Sequence, residues 1–438
     1  MPRRPLNAVG TGLLALLVSL AQADWRHSSY PLALLDGSDG FKLNAEASVG
    51  QLGYSVSRAG DINNDGYDDV IIGEAPSSTV SAGAAYVVFG AASFSLSELD
   101  VASLDGTNGF KIAGTDNGDF AGAAVSGVGD VNSDGFADVM VGAWGASSAA
   151  GEIMVVFGGA SFGPVVSSSD LDGSTGFVVT GSTSADGAGF SIAAAGDVNK
   201  DGADDILIGA HKADPAGSMS GEAYVVFGAI DWSVASVDLG SLGSAGLTFQ
   251  GGDRRYYSGF SVSGAGDIND DGTADIVIAA YGVGEAYVFY GAESFSASTF
   301  QLSAISSADG IIISVGEDGD TFSVAGAGDV NNDGFDDIAI GYQLADPGIS
   351  SEGSTYVLLG GLSLASPLSV ASLDGTNGFF LHGQYSGDRS GTSVSSAGVS
   401  AIAHGCPSRA LEPSETTSRP SWGGSLQRSS SLAKKKIY

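Results

Sequence analysis

One acidic phrase recurs five times in this chain: GDINNDGYDD from Gly60, GDVNSDGFAD from Gly129, GDVNKDGADD from Gly196, GDINDDGTAD from Gly266 and GDVNNDGFDD from Gly328. Its lead aspartates, Asp61, Asp130, Asp197, Asp267 and Asp329, stand about 60 to 70 residues apart. A fixed period of that length means stacked copies of one supersecondary unit, none of which buries its apolar surface alone. The 438 residues suit one large repeat domain. Long helices are disfavoured by the 68 glycines, because glycine weakens helix interiors and marks turns.

Aligned on the phrase, the copies share five parts. A leader opens the unit at Leu35-Asp36-Gly37 to Gly40-Phe41, at Leu104 to Phe110, at Leu171 to Phe177 and at Leu373 to Phe379, with weaker copies near Leu242 and Asp309. A small-residue strand follows, as in Gly53-Tyr54-Ser55-Val56, Gly189-Phe190-Ser191-Ile192 and Gly259-Phe260-Ser261-Val262. Next come the acidic loop and an apolar run such as Val70-Ile71-Ile72-Gly73 or Ile206-Leu207-Ile208-Gly209. Short β-branched runs bounded by glycine read as strands buried on both faces. The unit ends on Tyr86-Val87-Val88-Phe89-Gly90 and its echoes at Tyr224, Tyr287 and Tyr356. Four short strands per unit predict an all-β fold, a β-propeller of four-stranded blades with five full repeats and a partial sixth. A parallel β-helix has much shorter coils, and separate two-sheet domains would each need a larger core. Tyr86, Phe89, Tyr224, Phe227, Tyr287 and Tyr356 read as inter-blade core rather than as sugar-stacking residues.

The acidic loop has the pattern of a calcium site. In the first copy Asp61, Asn63, Asp65 and Asp69 hold positions 1, 3, 5 and 9, the Tyr67 carbonyl stands at 7, and Gly66 permits the sharp turn at 6. The same set recurs as Asp130, Asn132, Asp134, Phe136 and Asp138, and as Asp197, Asn199, Asp201, Ala203 and Asp205. It returns as Asp267, Asn269, Asp271, Thr273 and Asp275, and as Asp329, Asn331, Asp333, Phe335 and Asp337. Hard oxygen donors at this spacing suit Ca²⁺ over Mg²⁺, at up to five sites, in a structural role. An EF-hand needs a bidentate Glu at position 12, where this chain has Ile72, Val141, Ile208, Ile278 and Ile340. Dockerin loops sit in a short helical duplicate, unlike these. The competing reading is a turn closed by its own Asp and Asn side chains. A formal charge of −33 argues against a nucleic-acid groove.

These residues resemble the FG-GAP repeats of the integrin α-subunit head and of many secreted bacterial proteins. The Gly-Phe/Tyr-Ser stretch stands where that family has Phe-Gly; Gly142-Ala143, Gly209-Ala210 and Glu74-Ala75-Pro76 stand where it has Gly-Ala-Pro. The resemblance covers roughly residues 35 to 398. It implies a seven-bladed propeller with calcium in some blades, a face of loops that meets protein ligands, and calcium loops toward the other face. It implies an exported protein-binding or cell-adhesion-like module for an extracellular protein or glycan ligand. The alternatives are the non-catalytic propeller portion of a secreted hydrolase, similar to glycosylphosphatidylinositol phospholipase D, or a truncated gene remnant. Five full units and the start of a sixth depart from the family's seven.

Both ends differ from the body. Arg3 and Arg4, the apolar run Gly12 to Leu20 and Ala21-Gln22-Ala23 read as a signal peptide over 1–23, so the expected location is secreted, periplasmic or cell-surface. No apolar segment reaches the length of a membrane span. Repeats are assigned to 24–398. Beyond them, 399–438 carry Lys434-Lys435-Lys436 and the one cysteine, Cys406, where an acidic loop was due. That change reads as a reading-frame slip near residue 398, or as a disordered basic tail. An incomplete ring would expose blade edges and favour association.

No catalytic constellation is visible. His27, His211, His382 and His404 form no HExxH motif or close pair, and no Gly-x-Ser-x-Gly elbow occurs. His211, in Gly209-Ala210-His211-Lys212, reads as a surface loop histidine. The paired aspartates are accounted for by the repeats. The chain therefore reads as a non-enzyme.

Overall fold

The structure, a computed structural model, describes Leu35 and residues 40–396, apart from 47–49, 95–96, 231, 317–319, 346–350, 363 and 365. The expected signal peptide at 1–23 and the tail at 399–438 lie outside the described residues. The described chain is a β-propeller, nearly all β, built from repeated antiparallel sheets. Among the described residues no helix is long and apolar enough to cross a membrane.

The first repeat shows the plan. Its strands are β1 (Lys42–Asn44), β2 (Gly50–Gly60), β3 (Asp69–Pro76), β4 (Ala84–Val88), β5 (Glu98–Asp100) and β6 (Gly109–Ala113). The sheet runs β2-β3-β4-β6, each pair antiparallel, and the three-residue strand Val165–Ser167 joins β6 in parallel. Blade 2 repeats this with Ala124–Gly129, Asp138–Ala143, Glu152–Val156 and Gly176–Thr180; blade 3 with Ser191–Gly196, Asp205–Ala210, Glu222–Val226 and Gly246–Gln250. Blade 4 is Ser258–Gly266, Asp275–Ala280, Glu285–Phe289 and Gly310–Ser314, and blade 5 is Phe322–Gly328, Asp337–Tyr342, Ser354–Leu358 and Gly378–His382. The apolar run after each acidic loop is the second strand, and all six residues of that strand are buried in blades 2 to 5.

One expectation needs correction. In sequence the leader opens a unit, but in the fold its strand closes the sheet of the preceding blade: Gly109–Ala113 pairs with β4, not with the strand that follows it. Unit and blade are out of phase by one strand. The phase shift leaves β1 without a blade of its own. It pairs in parallel with β5 and is held by Lys42 Nζ to Glu98 at 2.7 Å and Asn44 Nδ2 to Asp100 at 2.9 Å. At the other end, the leader from Leu373 completes blade 5 with Gly378–His382.

Blades hold together face to face. Ile71, Ala85, Val87, Phe110 and Ile112 of blade 1 form one buried cluster with Val125, Val139, Val141, Met154 and Val156 of blade 2. Burying each such side chain contributes about 1.5–3 kcal/mol before the entropy of ordering it. Tyr224 and Tyr287 are buried in clusters that join two blades, in line with the inter-blade role read from the sequence, and Tyr86 is buried against Phe41 and Leu43 of β1. The glycine of the Gly-Ala pair has a steric reason. A Cβ on Gly209 would stand 2.0 Å from the Gly259 carbonyl of the next blade. Only a residue without one lets the two backbones meet.

Candidate metal loops and the aromatic end

Each acidic loop joins the first strand of its blade to the second, so all five lie at the same end of their blades. Their geometry is one pattern repeated. The lead aspartate accepts the position-5 N–H on one oxygen and the position-6 glycine N–H on the other, at 2.8–3.1 Å. The position-3 asparagine accepts the position-5 N–H at 3.0–3.1 Å, and its amide donates to the position-5 carboxylate at 2.8–3.1 Å. Position 4 is left-handed in every copy, with φ of 55–60° at Asn64, Ser133, Lys200, Asp270 and Asn332. That was not legible, because the residue type there varies while its backbone does not. At position 6, Gly66 has φ of 92° and open space around it, so the backbone angle is what requires glycine.

The position-9 aspartates behave differently from the others. Asp69, Asp138, Asp205, Asp275 and Asp337 are buried and start the second strand. Each accepts the N–H of position 2 on one oxygen and, on the other, the N–H of a glycine just beyond the third strand. They lace the loop to the sheet. Burial, then the neighbouring loop carboxylates, push Asp69 up to about 6, Asp275 to about 7 and Asp205 to about 8; Asp138 and Asp337 move the same way. No lysine or arginine offsets this charge by a salt bridge: the ion pairs among the described residues are Lys42–Glu98 and Lys111–Glu46. One lysine, Lys200, extends toward Gly272 of the next loop. The loop oxygens face their own N–H donors, and no three acidic, imidazole or thiol groups converge as a cage among the described residues.

Consecutive loops also bond to one another. Asp204 N donates to the Asp130 carbonyl at 3.1 Å and Asp336 N to the Asp267 carbonyl at 3.0 Å, with looser or similar links from Ala137 and Ala274. Where position 8 is aspartate, a second bond is added. The Asp204 carboxylate accepts Asp130 N–H, and the Asp336 carboxylate accepts Asp267 N–H, both at 2.9 Å.

At the opposite end of the blades stands a row of aromatic rings that the sequence reading passed over. The residue after the second strand supplies Trp144, His211 and Tyr281; the approach to the first strand supplies Phe120, Phe190 and Tyr257, and the first strand of blade 4 itself supplies Phe260. Phe120 stacks on Trp144 at 4.5 Å, Phe190 lies 4.2 Å from His211 and 5.3 Å from Phe260, and Tyr281 stacks on Tyr257 at 4.6 Å. Lys212 Nζ lies 5.0 Å over the Trp144 ring. Apart from His211 these rings are partly exposed. The signal was present: each row member from the second strand follows the Gly-Ala or Ala-Ala pair. His211 is not a surface residue but is buried, 5% exposed, between Phe190 and Phe260. Burial, with Lys212 adding to it, lowers its pKa to about 4, and its Nδ1 has no hydrogen-bond partner among the described residues.

Residues 52–88, 188–226 and 321–358 match the model of the FG-GAP repeat. These segments hold the first three strands of blades 1, 3 and 5. The intervening units depart from the pattern, with Ala123 where the others have an aromatic and Ala279 where the others have a glycine. The chain is 37% identical over 101 residues to integrin alpha pat-2 of Caenorhabditis elegans, covering 23% of this chain and 8% of that protein. It is 27% identical over 258 residues to integrin alpha-5 of Xenopus laevis, covering 56% of this chain and 21% of that protein. The chain thus spans about a fifth or less of the length of these relatives.

Proposed function

From a chain that carries FG-GAP repeats in an integrin-alpha-like propeller, we propose an exported, calcium-pinned module that binds an extracellular protein ligand. The observation that carries the ligand reading is the partly exposed aromatic row from Phe120 to Tyr281, at the end opposite the acidic loops. Large rings with some exposure and a defined arrangement are what protein interfaces use as anchors. Protein ligands are also what the resemblance to integrin alpha chains suggests. The fold alone would not say so.

The donor chemistry of the five loops fits calcium. Each brings three carboxylates, an asparagine oxygen and a backbone carbonyl within nine residues, all hard oxygen ligands. The buried position-9 carboxylates have neither a cation beside them nor full exposure to water, a state a divalent ion would relieve. Asp61, Asn63, Asp65, the Tyr67 carbonyl and Asp69, and their counterparts, would hold the ion. Its role is structural: it offsets charge and pins the turn between the first two strands. The reading is of a binding module rather than an enzyme.

The test is thermal unfolding of the full chain, followed by circular dichroism in EDTA and in millimolar calcium. A ligand of the native state raises the midpoint, by about 2.7 kcal/mol of stability at a hundredfold excess over Kd. An equal midpoint in both would show self-closed turns and remove calcium from the reading. Immobilised full chain tested against purified extracellular matrix proteins, with Trp144→Ala and Phe190→Ala beside wild type, addresses the ligand face. Equal capture by all three would dismiss the aromatic row as a contact surface.

A further inference from the structure

Position 4 of the acidic phrase supplies no metal ligand, and its residue changes from loop to loop: Asn64, Ser133, Lys200, Asp270 and Asn332. Two copies show where its side chain goes. Ser133 Oγ, in the second loop, donates to the carbonyl of Gly202, position 6 of the third, at 3.0 Å. Lys200, in the third loop, brings its Nζ to 3.3 Å from where a Cβ on Gly272, position 6 of the fourth, would stand. In both, position 4 of one loop meets position 6 of the next. Backbone bonds fix consecutive loops at that spacing: Asp204 N donates to the Asp130 carbonyl at 3.1 Å and Ala274 N to the Asp197 carbonyl at 3.2 Å.

What Lys200 reaches is the turn of a strongly acidic loop. Gly272 N–H donates to Asp267 Oδ2 at 2.8 Å, and Asp271 and Thr273 on either side of it hold ligand positions 5 and 7. The fourth loop carries four carboxylates within nine residues, Asp267, Asp270, Asp271 and Asp275. Lys200 forms no ion pair with any of them, since the ion pairs among the described residues are Lys42–Glu98 and Lys111–Glu46. Its ammonium stands beside the turn rather than inside it. It displaces no ligand oxygen, yet it adds a positive charge to the field that a metal ion would enter.

We propose that Lys200, from blade 3, is a built-in counter-ion of the fourth loop and weakens calcium binding there. This rests on the calcium reading and goes beyond it, because it makes matching ligand sets unequal through a residue that ligates nothing. The fourth loop then fills at higher calcium than its own donors would set, and its affinity is controlled from the neighbouring blade. The cause is electrostatic. A unit charge a few ångströms from a divalent ion changes its affinity by a factor of about three or more at low salt, and the effect fades once the Debye length falls to about 4 Å near 0.5 M. Lys200 is exposed, so salt reaches it.

The experiment is hydrogen exchange of the full chain titrated with calcium, read separately on the amides of 130–138, 197–205 and 267–275. Lys200→Gln should lower the calcium midpoint of 267–275 at least about threefold in about 0.02 M salt, and by less than about 1.5-fold in about 0.5 M salt. The midpoint of 130–138 should not move. Lys200→Arg should match wild type, since the charge is kept. Ser133→Lys places the same cation one blade earlier and should raise the midpoint of 197–205 about threefold. Its backbone already suits lysine, with φ of 56° at Ser133 against 58° at Lys200. A shift in Lys200→Gln that salt does not reduce, or no shift in Ser133→Lys, overturns the proposal. A wild-type chain in which no loop gains protection from calcium ends the calcium reading and this inference together. Calcium protection that Lys200→Gln leaves unshifted ends this inference alone.

Discussion

The four junctions between the five blades and the two terminal blade faces are written in the same residues and meet opposite fates. Phe177 and Phe379 both occupy the second place of an outer strand, yet the first is buried under blade 3 and the second is 37% exposed. Val330 is 49% exposed, while Ile62, Val131, Val198 and Ile268 at the same loop position are all buried. Among the described residues, a side chain's burial here is decided by whether another blade stands against it, not by its own sequence. This is the nearest-neighbour logic of a repeat fold, in which each interface is a separate stabilising term.

The largest contrast should come from one substitution made twice. Phe177→Ala leaves a cavity in a closed junction and should cost about 3–5 kcal/mol. Phe379→Ala removes a side chain that is already wet and should cost less than about 1 kcal/mol. Urea unfolding of the two variants beside wild type reads the difference. Equal losses would mean that the face of blade 5 is covered in solution, and the contrast between inner and terminal faces would fall.

How much of this was legible in the sequence depends on the kind of contact. Asp61 to Asp69 declare their turn locally, because each bond they make is to a residue within the loop or just past the third strand. The β-branched second strands were equally plain, since a run such as Ile206-Leu207-Ile208 has no polar face to show to water. The leader was misphased because Gly109–Ala113 lies next to one strand in sequence and bonds to another in space. Nothing in the residues 109–113 says which. His211 was misplaced for a related reason. Its neighbours Phe190, just before the first strand of blade 3, and Phe260, in the first strand of blade 4, are distant in sequence, and local context shows only a glycine-rich turn.

A second contrast concerns protonation. His211 sits inside the junction of blades 3 and 4, and Tyr54, at the equivalent of Phe190 in blade 1, is exposed with no ring beside it among the described residues. The folded-state pKa of His211, about 4, lies below the ordinary value of 6.5. The unfolded chain therefore takes up the proton first. Stability from keeping this group neutral is complete above about pH 6.5 and is lost as pH falls toward 4, by at most about 3 kcal/mol. The raised carboxylates pull the other way over the range from about 8 downward, because their folded forms bind protons more readily. His211→Phe isolates the histidine: between pH 7 and 4.5 it should lose less stability than wild type. A parallel pH dependence in the two chains would show that His211 is hydrated in solution.

The smallest effect sharpens the comparison most, because it concerns one carboxylate in three copies. Asp204 and Asp336 each accept the lead N–H of the preceding loop, from Asp130 and Asp267, and no such loop stands beside Asp68 among the described residues. Burial raises the Asp204 pKa, so the bond is made by a group that gives up solvation to make it. Asp204→Ala should cost about 1–2 kcal/mol, from a lost bond to a charged acceptor and a part-buried N–H left without a partner. Asp68→Ala removes an exposed charge in an acidic neighbourhood and should change stability by less than about 0.5 kcal/mol. If both variants lose the same amount, Asp68 has a partner in solution.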